Sequence, residues 1–163
     1  LTRVDATGAL VLLEDQDRSR WDRARIDEGV ALVEAVLRDG RAGPYALQAA
    51  ISALHAGAPS ATETDWPQIA ALYGMLAHLR PSPVIELNRA AAIAMAEGPE
   101  RGLALMAELD LPNYYLLPAA RADLLRRLGR RPEAAAAYRA ALALVGNTAA
   151  RRYLERRLVE VTQ

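Results

Sequence analysis

The chain has 163 residues, 52% of them apolar, with alanine and leucine foremost and neither phenylalanine nor cysteine. That length suffices for one domain with a continuous core, and the lack of cysteine excludes a disulfide framework and any thiolate metal site. Twenty basic residues, all arginine, balance twenty acidic ones, and a net charge of zero argues against a free-standing nucleic-acid binder.

The elements follow in order. Asp5-Ala-Thr-Gly8 is turn chemistry, so Leu1–Val4 and Ala9–Leu13 are expected to pair as a small hairpin lying against the helices or an upstream domain. A dense charge run, Glu14 to Arg23, holds Trp21, one of two tryptophans. The first helix is expected from near Asp22 to near Asp39, with Ile26, Val30, Val33 and Leu37 on one face. Gly40 and Gly43 end it, and Pro44 opens the second helix, whose stripe is Leu47, Ile51 and Leu54. Asp65 caps the third, with Trp66, Ile69, Tyr73 and Leu76 in helical rhythm. Ser82 is the expected cap of the fourth, and Gly98-Pro99 starts a short fifth with Leu103, Met106 and Leu109. Asn113 is the expected cap of the sixth, lined by Leu117, Ala120, Leu124 and Leu128. The seventh runs from near Pro132 to Val145, and after Gly146-Asn147 the last carries Ala150, Tyr153, Leu154, Leu158 and Val161. Residues 1–21 thus form an arm, and residues 22–163 a helical-repeat domain.

Self-similarity sets the arrangement of these helices. Gly129, Ala134, Tyr138 and Ala141 fall in the register of the second half of a tetratricopeptide repeat, which they resemble: a turn glycine, a small residue, an aromatic, then alanine. Small residues let paired helices approach, and the aromatic fills the gap to the next repeat. A weaker copy follows Gly98, which lies 31 residues before Gly129, against a usual period of about 34. The reading is an all-α, right-handed array of about eight tetratricopeptide-like helices behind a short non-helical arm or hairpin.

Four ordered segments carry a further resemblance: Leu12-Leu-Glu-Asp-Gln-Asp-Arg-Ser-Arg-Trp-Asp22, Gly43-Pro-Tyr-Ala-Leu-Gln-Ala-Ala-Ile51, Thr64-Asp-Trp-Pro-Gln-Ile-Ala-Ala-Leu-Tyr73 and Pro81-Ser-Pro-Val-Ile-Glu-Leu-Asn-Arg-Ala90. Over nearly the whole chain they resemble extracytoplasmic-function RNA polymerase sigma factors that carry a C-terminal tetratricopeptide-like extension. The resemblance implies a bacterial, cytoplasmic, transcription-linked protein. Its expected partners are sigma-factor N-terminal domains, RNA polymerase, or a peptide or protein regulator. Sigma regions 2 and 4 precede the extension in such factors, and nothing here looks like either: there is no DNA-reading helix-turn-helix with a basic recognition face. The chain is then either the C-terminal domain of a longer factor or a stand-alone relative, and DNA contact belongs to the parent protein. The start at Leu1, with no methionine, points to a fragment or processed chain.

Asp15, Asp17, Arg18, Arg20, Trp21 and Asp22 are the candidate docking surface, because arginine pairs in bidentate fashion and tryptophan anchors. The competing reading packs Trp21 as core and spends the charges on caps. Asn88 and Arg89 sit where a repeat lines its inner face and can hold a carboxylate or an extended backbone, although helix neighbours point roughly 100° apart. His55 and His78 stand on different helices, so no metal site is expected. No nucleophile motif or phosphate loop is present, so neither catalysis nor a cofactor is expected.

Charge is uneven: residues 1–65 carry seven arginines against eleven acids, residues 121–163 ten against four. Arg151, Arg152, Arg156 and Arg157 make basic pairs one helical turn apart, read as a solvated face. No stretch is apolar enough to cross a bilayer, and no signal pattern opens the chain, so a cytoplasmic location is expected. The expected function is non-catalytic regulation through macromolecular contact, with a sensor of a peptide or small molecule between repeats as the alternative.

Overall fold

The computed structural model describes residues 4–5, 8–40 and 42–163. Among them are eight α-helices and no β-strand: α1 Arg23–Arg38, α2 Pro44–Gly57, α3 Trp66–Leu79, α4 Pro83–Glu97, α5 Pro99–Ala107, α6 Leu116–Arg127, α7 Arg131–Leu144 and α8 Thr148–Thr162. The helix starts follow simple chemistry. Pro44, Pro67, Pro83, Pro99 and Pro132 stand in the first two helical positions, where a missing N–H costs nothing. Asp22, Asp65 and Asn147 accept from the backbone N–H of Arg25, Gln68 and Ala150 respectively, at 3.0–3.2 Å.

Two expected caps are corrected. Ser82 holds the N-cap position of α4 but makes no side-chain capping bond. Asn113 does not cap α6. Backbone turns occupy that entry, with Tyr114 N–H on the Leu111 carbonyl and Leu117 N–H on the Tyr114 carbonyl. Tyr115, already helical, takes the N-cap position.

The turn glycine of the repeat does what its place requires. Gly129 has φ of 72°. Its N–H reaches the Arg126 carbonyl at 3.0 Å, and the Arg130 N–H reaches the Leu125 carbonyl at 2.9 Å. This paired closure of a helix end needs a left-handed residue, and it turns α6 back onto α7.

Helix packing is local, as in a stacked array. The substantial contacts join sequence neighbours from α1 and α2 through to α7 and α8, and the wider pairing is α4 on α6. The core is accordingly handed along the chain in three clusters. Ile51, Ile69 and Ala92 join α2, α3 and α4. Leu87, Ala90, Met106 and Leu124 join α4, α5 and α6. Ala122, Ala134, Tyr138, Tyr153 and Leu154 join α6, α7 and α8. In α5 and α7 a small buried residue, Gly102 or Ala134, precedes by one turn a large buried one, Met106 or Tyr138. α1 is different: none of its residues is buried, and Leu32 and Val36 are exposed.

Ahead of α1 the arm is non-helical apart from two 3-10 turns, Leu13–Asp15 and Arg18–Arg20. Val4 and Leu10 form an isolated antiparallel bridge, and Gly8, at φ of 77°, donates to the Asp5 carbonyl at 2.9 Å. The rest of the expected first strand, Leu1 to Arg3, and Ala6 and Thr7 of the turn lie outside the described residues. No helix among the described residues is long and apolar enough to cross a membrane.

Candidate functional site

The arm is fastened at two distant places. Near its start, Leu10 N–H donates to the Ala149 carbonyl of α8 at 3.2 Å, and Arg156 of α8 donates to Asp5 at 3.2 Å. Leu10 and Leu12 pack against the cluster shared by α6, α7 and α8. Near its end, Arg18 Nη1 donates to the carbonyls of His55 and Ala58, at 2.9 and 2.8 Å. These are orphan acceptors at the C-terminus of α2, where the helix dipole favours a cation. The arm therefore runs from α8 to α2 across the helices between them.

Beneath it lies an apolar groove of about 530 Å³, partly open to solvent. The arm supplies Leu10, Leu12, Leu13 and Arg18. α4 supplies Leu87, Asn88, Ala91 and Met95, α6 supplies Leu116, Ala119, Ala120 and Asp123, and α8 supplies Tyr153 and Leu154. Alternate helices thus share one wall, as stacked hairpins require. His55 and Trp66 close the α2–α3 end, their rings edge to face with centroids 5.1 Å apart. A concave, mostly apolar site with a few polar groups is the ordinary form of a ligand pocket.

Two groups in this groove are electrostatically unusual. Arg18 is only 9% exposed, and burial lowers its pKa. Its guanidinium also lies 5.1 Å from the Trp21 ring centroid. Burial, aided by the charge of Arg18, pushes His55 below its ordinary value, so the imidazole is neutral at pH 7. Its Nδ1 is buried without a hydrogen-bond partner among the described residues.

The charged segment divides between two faces. Arg18 turns inward, whereas Asp15, Asp17, Arg20 and Trp21 line a separate hollow of about 450 Å³ with Val4, Asp5 and Val11. Asp15, Asp17 and Arg20 are exposed, and Trp21 is half-buried. Asp17 accepts from the Ser19 hydroxyl at 2.6 Å and the Ser19 N–H at 3.1 Å, and these bonds lower its pKa. Asn88 and Arg89 part company: Asn88 lies on the groove, and Arg89 pairs with Glu86 at 3.1 Å.

The arginines of α8 are engaged within the fold. Arg151 donates to the Val145 carbonyl at 2.8 Å, Arg156 pairs with Asp5, and Arg157 donates to the Tyr153 hydroxyl at 3.1 Å and to Glu160 at 2.9 Å. Arg152 lies against Gly8. No group of three or more metal-ligating residues comes together among the described residues. Sequence reading singled out Arg18 and Asn88 but not the groove they share. Leu12, His55, Met95 and Tyr153 meet there only through folding, and no local spacing relates them.

Residues 1–37 match a family of unknown function (DUF6596), a span that covers the arm and nearly all of α1. The chain is also similar to an uncharacterized protein of Rhizobium meliloti (strain 1021), with 46% identity over 158 residues. That alignment covers 96% of this chain and 37% of the relative, so the chain spans little more than a third of that curated relative's length. No solved structure matches this chain.

Proposed function

We propose that this chain is a non-catalytic regulatory and protein-interaction domain of a bacterial extracytoplasmic-function sigma factor. In this reading it works in the cytoplasm and modulates transcription initiation by contacting the sigma core, RNA polymerase or a regulator. One observation carries the proposal. The arm is fixed to the helices on its inner side by Leu10, Leu12 and Arg18, and it presents Asp15, Asp17, Arg20 and Trp21 together on its outer side. A charged hollow with an aromatic wall, held rigidly, suits recognition of another protein. The order of the four sequence segments supports the sigma-factor context.

The test is the triple replacement of Asp15, Asp17 and Arg20 by alanine in a sigma factor carrying this domain. Co-purification with the sigma core and polymerase is expected to fall at least about tenfold, as loss of complementary charge at an interface implies. Retention of full binding and transcription by the folded variant would overturn the reading. A second reading, a sensor of a small molecule, is favoured by the apolar groove of about 530 Å³ beneath the arm.

A further inference from the structure

The groove holds a cation, Arg18, that no carboxylate pairs with among the described residues. Both hydrogen bonds that Arg18 makes with the described residues leave from Nη1 and end on backbone carbonyls. A guanidinium carries five N–H donors in a planar fork, so the Nε and Nη2 edge has no acceptor among the described residues. The acids of the groove are placed otherwise: Asp123 is held by Arg126 at 2.6 Å, and Glu14 is exposed at the rim. A buried charge ordinarily requires a partner of opposite sign. Burial depresses the pKa of Arg18, and no carboxylate opposes that effect.

On the sensor reading given above, we propose that the groove binds a small amphipathic monocarboxylate. Its carboxylate meets the open edge of the Arg18 guanidinium, and its apolar body lies along the wall formed by Leu12, Leu87, Ala91 and Met95. The planar fork suits a carboxylate through two parallel hydrogen bonds. The groove volume is in the range that encloses molecules of drug size. Binding would also brace the arm, because the residue that takes the anion is the one that ties the arm to α2.

The test is calorimetric titration of the 163-residue chain with decanoate and with decanol, which share a tail and differ in the head. Decanoate is expected to bind at least about tenfold more tightly, the worth of a charge-assisted hydrogen bond. Arg18→Met is expected to erase that preference. Because Arg18→Met also removes the tie to α2, Ala91→Phe serves as the second variant. It fills the groove from α4, leaves Arg18 in place, and is expected to abolish decanoate binding. Equal affinity for the two probes overturns the carboxylate assignment and leaves the sensor reading intact. Binding of neither overturns both. Undiminished decanoate binding by Ala91→Phe puts the ligand elsewhere and overturns the proposal.

Discussion

Arg18 and His55 are joined across the fold: the Arg18 guanidinium donates to the His55 carbonyl at 2.9 Å over a separation of 37 residues. Together with the bond to the Ala58 carbonyl it converts a charged arm residue into an internal fastening. Arg18→Ala is expected to lower the unfolding free energy by about 1.5–3 kcal/mol, the range for hydrogen bonds made by charged groups. Amide exchange should rise over residues 12–20 and stay low at Leu10, which keeps its own bond to α8. Unchanged exchange in the arm would mean that its packing alone holds it.

His55 should make the fold sensitive to acid. The unfolded chain takes up a proton on this residue near pH 6.5, and the folded chain resists it because the ring is buried beside Arg18. Stability is therefore full above that pH and declines as the pH falls below it. Urea unfolding from pH 5 to pH 8 should show this slope, and His55→Gln should flatten it.

Tyr138 should do the same at the alkaline end. Its hydroxyl is buried near Asp123, Arg126 and Tyr153 without a hydrogen bond of good geometry, and burial pushes its pKa up to about 12. The unfolded chain releases this proton near pH 10, so stability falls as the pH rises from there toward 12. Tyr138→Phe should weaken this fall and leave stability at pH 7 equal or higher, since a buried hydroxyl with poor bonding is removed. Tyr138→Ala should instead cost about 3–5 kcal/mol for the cavity it opens. Thermal unfolding at pH 7 and pH 11 distinguishes the two.

At Gly102 α5 lies close against α4. A methyl group there would collide with the Ala94 Cβ, stand 2.9 Å from the Ala90 carbonyl oxygen and 3.1 Å from the Leu124 Cδ1. Alanine would ordinarily stabilise a helix by about 1 kcal/mol relative to glycine. Here overpacking, typically about 1–3 kcal/mol, should prevail, and Gly102→Ala should lower the melting temperature by several degrees. A higher melting temperature would show that α4 and α5 can separate without loss.

The helices were legible because their boundaries are chemical and local. Proline at a helix start, Asp65 before α3 and Gly129 after α6 each act within one turn of chain. Asn113 misled because its type suits a cap, whereas the preceding turns had already met the needs of that helix start. The division of the charge run was not legible. Arg18 and Arg20 are alike in sequence and two positions apart, yet one is buried and the other exposed. What separates them is a pair of carbonyls contributed by α2. The groove was hidden for the same reason, since its walls come from residues 10 to 154.

Stacks of helical hairpins usually unravel from their loose ends, since each unit answers only to its neighbour. Here the segment before α1 doubles back and buckles α2 to α8, so the stretch between those helices forms a closed circuit. Force applied to α8 therefore has a second path to α2, through the arm, beside the one through the helices between. The circuit should melt as one unit, while α1, left outside it with nothing buried, loosens first.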